Sequence, residues 1–175
     1  MRKDLLQRMR RLKLMVFDVD GVLTDGTLYY GEAGAELKAF NVRDGHGIKM
    51  LKESGVEVAI LSARRSHAVD ARAAELGLTL VEQGAGDKGK VFDELIARAR
   101  ISADASGYMG DDLVDLPVLA RCGFAASVPD APALVRKRVH LVTRAAGGRG
   151  AVREICELIM RAQKTLDRAV ARQLA

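Results

Sequence analysis

Four consecutive apolar residues, Leu14-Met15-Val16-Phe17, run directly into Asp18-Val19-Asp20-Gly21. A strand that is apolar at every position, not at alternate ones, suits burial on both faces, as in a parallel sheet covered by helices on each side. The rest of the chain keeps to that plan. Candidate strands at 13–18, 56–61, 78–81, 106–109, 124–127 and 140–142 alternate with helical patterns at 47–52, 66–76, 88–100, 114–121 and 150–168. This alternation predicts an α/β fold: a Rossmann-like parallel sheet with helices on both faces. Ser66 and Asp87 are good helix N-caps, and Pro117 falls where a short helix begins or kinks. The 175 residues argue for a single domain, 1–175, able to bury a core without a disulfide staple. Residues 1–11 are basic and read as a short helix or a frayed arm, and 160–175 keep a helical pattern that grows more charged.

One segment breaks the alternation. Thr27-Leu28-Tyr29-Tyr30 and Glu36-Leu37-Lys38-Ala39-Phe40 flank Gly31-Glu32-Ala33-Gly34, a β-hairpin pattern over residues 27–40. A hairpin projecting from a parallel sheet has no core of its own. Either it covers the site of its own chain, or it pairs with copies in an oligomer.

Composition narrows the partners. Lys and Arg number 28 against 23 Asp and Glu, a formal charge of +5, which suits a phosphate ester as easily as nucleic acid. Aromatics are 4% and Trp is absent, so a base-stacking surface is poorly supplied and no nucleic acid is expected. No apolar run approaches the roughly 18 residues of a membrane span, and Met1-Arg2-Lys3-Asp4 lacks the apolar core of a signal peptide. Cys122 and Cys156 form no CxxC pair and read as buried thiols in a reducing cytoplasm. His46, His67 and His140 form no ligand cluster.

The chemistry gathers at strand ends. In an open α/β sheet ligands bind beyond the carboxyl ends of the strands, where Asp18 and Asp20 fall; two acids at i and i+2 point the same way and can share a site. A calcium loop counted from Asp18 fails, because Val22 and Tyr29 stand where ligands are required. Ser62 places a hydroxyl at the end of the next parallel strand. Lys88 opens a helix after Gly84-Ala85-Gly86-Asp87, where a lysine and backbone amides can hold an anion. Gly110-Asp111-Asp112-Leu113-Val114-Asp115 adds acids at a further strand end.

The order DxDG, Ser, Lys, GDDxxD resembles the haloacid dehalogenase superfamily of phosphotransferases at all four of its motifs. The stretches DVDGVLTDG at 18–26, NVRDGHGIKML at 41–51, LSARRS at 61–66, GDDLVDLPVL at 110–119 and RAAGGRGAVREIC at 144–156 resemble more narrowly its capless sugar-acid phosphatases. The resemblance implies that Asp18 is the nucleophile and Asp20 the general acid–base. It implies that Ser62 and Lys88 hold the phosphoryl oxygens, and that Mg²⁺ is held by Asp18, the carbonyl of Asp20, and Asp111. Asp112 and Asp115 are implied to orient Lys88 or metal-bound water. Arg64 and Arg72 match positions that contact substrate, and arginine suits a sugar-acid carboxylate. Gly45 belongs to a stretch resembling a substrate loop. The stretch Gly147-Gly148-Arg149-Gly150 lies over a neighbouring site or simply breaks the chain before the last helix. No room remains for a cap domain, so a homotetramer, with hairpins forming a central barrel, is implied to close each site. The implied substrate is an eight-carbon keto-deoxy sugar acid 8-phosphate of lipopolysaccharide synthesis, and the implied location is cytoplasmic.

Three other readings compete. A nine-carbon substrate goes with Glu at the position of Arg64, so Arg64 and the glycine-rich stretch favour eight carbons. A signalling receiver domain requires adjacent acids after the first strand, which Val19 interrupts. A non-catalytic phosphate-binding module has no need of a general acid.

Overall fold

The computed structural model describes residues 3–172 and 174. Its elements, in chain order, are α1 (Lys3–Arg11), β1 (Leu14–Phe17), β2 (Tyr29–Tyr30), β3 (Glu36–Leu37), α2 (Val42–Glu53), β4 (Glu57–Ser62), α3 (His67–Glu75), β5 (Leu80–Gln83) and α4 (Lys88–Ala99). There follow β6 (Ser106–Met109), α5 (Leu116–Leu119), β7 (Phe124–Ser127), α6 (Ala133–Arg136), β8 (Leu141–Val142), α7 (Ala151–Ala162) and α8 (Leu166–Ala171). Six strands form one parallel sheet in the order β5-β4-β1-β6-β7-β8. All four residues of β1 are buried, as are all four of β6 and of β7, because helices cover both faces. From β1 the chain builds outward through β4 and β5, then returns to β1's other edge with β6. That reversal opens a crevice at the carboxyl end of β1, where Asp18 stands.

The six strand positions follow the sequence pattern; the helices depart from it in three places. α2 starts at Val42, five residues before the apolar pattern, because the Asn41 carboxamide accepts the Arg43 and Asp44 amides and starts the helix through two glycines. The helix expected over 114–121 is a 3₁₀ turn, Leu113–Asp115, followed by the single turn of α5. The helix expected over 150–168 breaks after α7. Lys164 adopts φ 60°, and the Gln163 carboxamide turns aside to donate to the Met9 and Leu12 carbonyls, pinning the break to the end of α1. The start of the basic arm (residues 1–2) and residues 173 and 175 of the tail lie outside the described residues. Ser66 stands at the N-cap of α3 without a side-chain cap bond, whereas Asp87 accepts the Lys90 amide at 3.0 Å.

The apolar stripe of α7, with Val152, Ile155 and Ile159 at zero exposure, packs on α2 and α1. A buried carboxylate joins this layer: Asp44 of α2 accepts the amides of Gly150 at 3.2 Å and Arg153 at 2.7 Å, at the N-terminus of α7. Asp44→Ala strands those donors, and an unfolding free energy lower by about 1–3 kcal/mol is expected in urea titration, with Asp44→Asn losing less because it keeps an acceptor.

Candidate active site

β1 delivers Asp18 to the crevice. The Asp18 amide continues the strand ladder to the Met109 carbonyl at 2.9 Å, and its own Oδ1 accepts the Val19 amide at 2.7 Å. The chain then coils tightly, with the Val19 carbonyl accepting amides of Val22, Leu23 and Thr24. Gly21 sits at φ +81° against Asp111, whose Oδ2 would lie 2.0 Å from any Cβ there, so only glycine lets the two strand ends meet. The glycine-rich stretch rests on this same loop. The Gly148 amide donates to the Val22 carbonyl at 2.9 Å, and a Cβ on Gly147 would come within 1.8 Å of the Gly21 carbonyl oxygen. Gly147 and Gly148 thus buttress the first loop of their own chain.

Lys88, the first residue of α4, reaches inward at 3% exposure. Its ammonium lies 2.7 Å from Asp18 Oδ2 and 2.6 Å from Asp115 Oδ1. Burial alone would push this ammonium toward neutrality, but the two carboxylates outweigh it and raise its pKa above the ordinary value. Asp115 is fully buried and accepts from four donors: Lys88, the Tyr108 hydroxyl at 2.6 Å, and the amides of Asp111 and Asp112 at 2.9 and 3.0 Å. Its negative charge acts on its neighbours. Burial, then Asp115, raises Asp18 to about 7 against the pull of Lys88; burial, Asp115 and Asp112 raise Asp111 to about 7. Two carboxyls held this way are poised for a cation.

The donor set suits a hard divalent ion. Asp18, Asp111 and Asp115 each offer an oxygen within 4.8 Å of the others. Since Asp115 is taken up by its four donors, Asp18 and Asp111 are the carboxylates open to an ion. Both line a cavity of ≈ 280 Å³ with Asp20, Ser62, Arg64, Lys88 and Asp112. Ser62, 2% exposed at the end of β4, accepts the Arg64 amide at 3.2 Å, leaving its hydroxyl hydrogen for an anion. Asp112 caps the 3₁₀ turn by accepting the Leu113 amide at 2.7 Å; of the two acids it is Asp115 that bonds Lys88.

Other expected residues lie elsewhere. Arg72 packs under the Phe40 ring with its guanidinium on Glu75 at 2.7 Å and the Asn41 carbonyl at 3.2 Å, and Gly45 lies against it. Neither lines the cavity with Asp18. Conversely, pattern reading passed over Tyr108 and the hairpin pair Glu36 and Lys38. The Lys38 ammonium bonds Asp20, and Arg64 bonds Glu36. Their signal was the strand alternation, which sets Glu36 and Lys38 on one side and exposed Leu37 on the other.

A buried carboxylate with its lysine and a second acid at the ends of β1, α4 and β6, with no cap domain among the described residues, define a phosphotransferase of the haloacid dehalogenase fold. Comparison with known proteins agrees. The chain is 47% identical over 166 residues to 3-deoxy-D-manno-octulosonate 8-phosphate phosphatase KdsC of Yersinia pestis, covering 95% of this chain and 89% of that one. It is 46% identical over 166 residues to KdsC of Escherichia coli K12, covering 95% and 88%. The structure of the phosphatase from Moraxella catarrhalis, in complex with magnesium ion, phosphate ion and KDO, superposes with TM-score 0.95 at 41% identity, covering 98% of this chain and 99% of that one. A scan against protein-family models finds no match. The chain belongs to the KdsC family of 3-deoxy-D-manno-octulosonate 8-phosphate phosphatases.

Removing Asp115 leaves the Lys88 ammonium buried with one carboxylate, Asp18, and takes from the Tyr108 hydroxyl hydrogen its acceptor. Asp115→Ala is expected to lower the unfolding free energy by roughly 3–5 kcal/mol in urea titration, the range for breaking a buried ion pair.

Proposed function

We propose that the chain hydrolyses 3-deoxy-D-manno-octulosonate 8-phosphate to the free sugar acid and phosphate, with Mg²⁺, in lipopolysaccharide precursor synthesis in the cytoplasm. The observation that carries this reading is Lys88 held between Asp18 and Asp115 at the floor of the cavity that Asp20, Ser62 and Asp111 also line. The Moraxella relative, with magnesium, phosphate and KDO bound, supports both the ion and the sugar acid.

Asp18 attacks phosphorus in line, and the bond to the sugar oxygen breaks with its electron pair on that oxygen. Asp20 donates the proton that oxygen needs, a transfer that contributes typically about 10²–10⁴-fold for a basic leaving group. The phosphoryl group then rests on Asp18 as an acyl phosphate. Asp20, now a carboxylate, takes a proton from the water that attacks phosphorus, and Asp18 is regenerated. Lys88 and the Ser62 hydroxyl hold non-bridging oxygens throughout. Bound at Asp18, Asp111 and the Asp20 carbonyl, Mg²⁺ supplies the positive charge that lets a carboxylate and a phosphate share the cavity. Asp112 stands at the mouth of the cavity, where it orients water.

A homotetramer completes the reading. The hairpin turns Glu36 and Lys38 inward and its apolar residues out: Leu28, Tyr29, Tyr30 and Leu37 are 40%, 45%, 63% and 58% exposed, while the Lys38 side chain is at 1%. Such a surface, on a two-stranded sheet with free edges, suits pairing with copies of itself. Arg64, which lines the cavity, grips the sugar acid, whereas Arg72 and Gly45 stand outside it. No helix among the described residues is long and apolar enough to cross a membrane.

Phosphate release from 3-deoxy-D-manno-octulosonate 8-phosphate, its nine-carbon analogue and p-nitrophenyl phosphate, with Mg²⁺ or EDTA, tests this. Preference for the eight-carbon ester is expected, lost with EDTA and by more than about 10³-fold in Asp18→Asn. Better turnover of the nine-carbon ester moves the enzyme to that substrate; no metal-dependent release from any ester overturns the phosphatase reading.

A further inference from the structure

The hairpin does more than project. Lys38 reaches back from it, its side chain 1% exposed, and its ammonium bonds Asp20 Oδ1. The same ammonium lies 3.0 Å from Glu36 Oε1. The other oxygen of Glu36 takes the Arg64 guanidinium, and Arg64 Nε returns to Asp20 Oδ2 at 3.9 Å. Asp20, Lys38, Glu36 and Arg64 therefore form a closed ring of alternating charge. Three of its corners sit on different parts of the chain: the first loop, the hairpin, and the loop after β4.

We infer that Lys38 is a positioning residue for the acid–base carboxylate Asp20, and that the hairpin thereby sets the geometry of proton transfer. This rests on the phosphatase reading above. An acid at a strand-end loop has free torsions about its side chain, and a carboxyl that points away from the leaving oxygen transfers nothing. Lys38 holds one oxygen of Asp20 at short range and leaves the other with only the distant Arg64, so the two oxygens become inequivalent. Oδ2 is the one that faces proton exchange with the leaving group. The ring sums to zero charge, two cations against two anions, so it fixes an orientation without adding a net field that would compete with Lys88 for the phosphate. A misplaced catalytic group costs on the order of 10²-fold even when every reacting residue is present. Burial of a lysine ammonium on a hairpin whose apolar residues face out is costly unless it is paired, and the ring supplies its two carboxylate partners.

The test separates positioning from folding and from substrate binding. kcat/KM is measured with Mg²⁺ for a series running from nitrophenyl and phenyl phosphates to simple alkyl phosphates, which carry no sugar and no carboxylate. This parameter covers the steps up to phosphoryl transfer to Asp18, and only poor leaving groups need the proton from Asp20. Lys38→Met is expected to lower kcat/KM for alkyl phosphates by about 10–100-fold and for nitrophenyl phosphate far less, steepening the dependence on leaving-group basicity. Lys38→Arg restores part of the alkyl activity. Glu36→Gln, which leaves the lysine in place, asks the same question from the opposite corner and gives a smaller change of the same sign. A loss of fold or assembly scales all esters alike, so a uniform loss across the series overturns the inference. A loss confined to the sugar acid ester, with simple alkyl phosphates unaffected, also overturns it and makes Lys38 a substrate contact. Absence of metal-dependent release by the wild type overturns the phosphatase reading itself, and is told apart from the other two by the unaltered protein alone.

Discussion

A lysine ammonium placed between two carboxylates in the dry end of a parallel sheet organises the rest of this molecule. Lys88 cannot stay charged there without Asp18 and Asp115, and Asp115 cannot stay buried without its four donors. Each partner comes from a different element: β1 supplies Asp18, the turn after β6 supplies Asp115, and the N-terminus of α4 supplies Lys88. The cluster therefore holds three strand and helix ends in register at the crevice. Burial first, and then the negative charge of Asp115, raise Asp18 and Asp111 and make the crevice receptive to a cation. Stability and the charge of the cavity rest on the same contacts, so substitutions there are expected to fall on both.

Around that centre the chain uses backbone close approach where other proteins use bulk. Gly21 lets Asp111 reach the first loop, and Gly147 lets the stretch before α7 lie directly on Gly21. Asn41 links the same stretch to α2 through the Gly148 carbonyl at 3.2 Å, and Asp44 links α2 to the start of α7. The loop after β1 is thus braced from behind by the α2–α7 layer, and from the front by the hairpin ring of Lys38, Glu36 and Arg64.

Much of this was legible in the sequence because strand ends are written plainly: an apolar run followed at once by an acid, a hydroxyl or a GDD turn. That pattern places Asp18, Asp20, Ser62 and Asp111 at one edge, and the glycine-containing turn before Lys88 places the lysine. What pattern cannot carry is direction across space. Lys38 reads as an ordinary polar position of a hairpin strand until the hairpin folds back over Asp20. Tyr108 reads as one more apolar strand residue, although its hydroxyl is a donor to Asp115. Arg72 lies on the helix expected of it, yet turns toward Phe40 and Glu75 rather than the cavity. The break in the last helix is a tertiary effect, imposed by the Gln163 bonds to α1 against an apolar spacing that continues through Leu166.

The most direct test of the account is whether phosphorus passes through Asp18. With Asp18 as nucleophile and Asp20 as acid–base, as proposed, Asp20→Asn is expected to form the acyl phosphate from p-nitrophenyl phosphate and Mg²⁺ without the acid and to hydrolyse it slowly for want of the base. Acid quenching, borohydride reduction and mass spectrometry of the peptides are predicted to find the modification at Asp18 in step with a burst of p-nitrophenolate. A burst with Asp18 unmodified, or with the label on Asp111, contradicts the account.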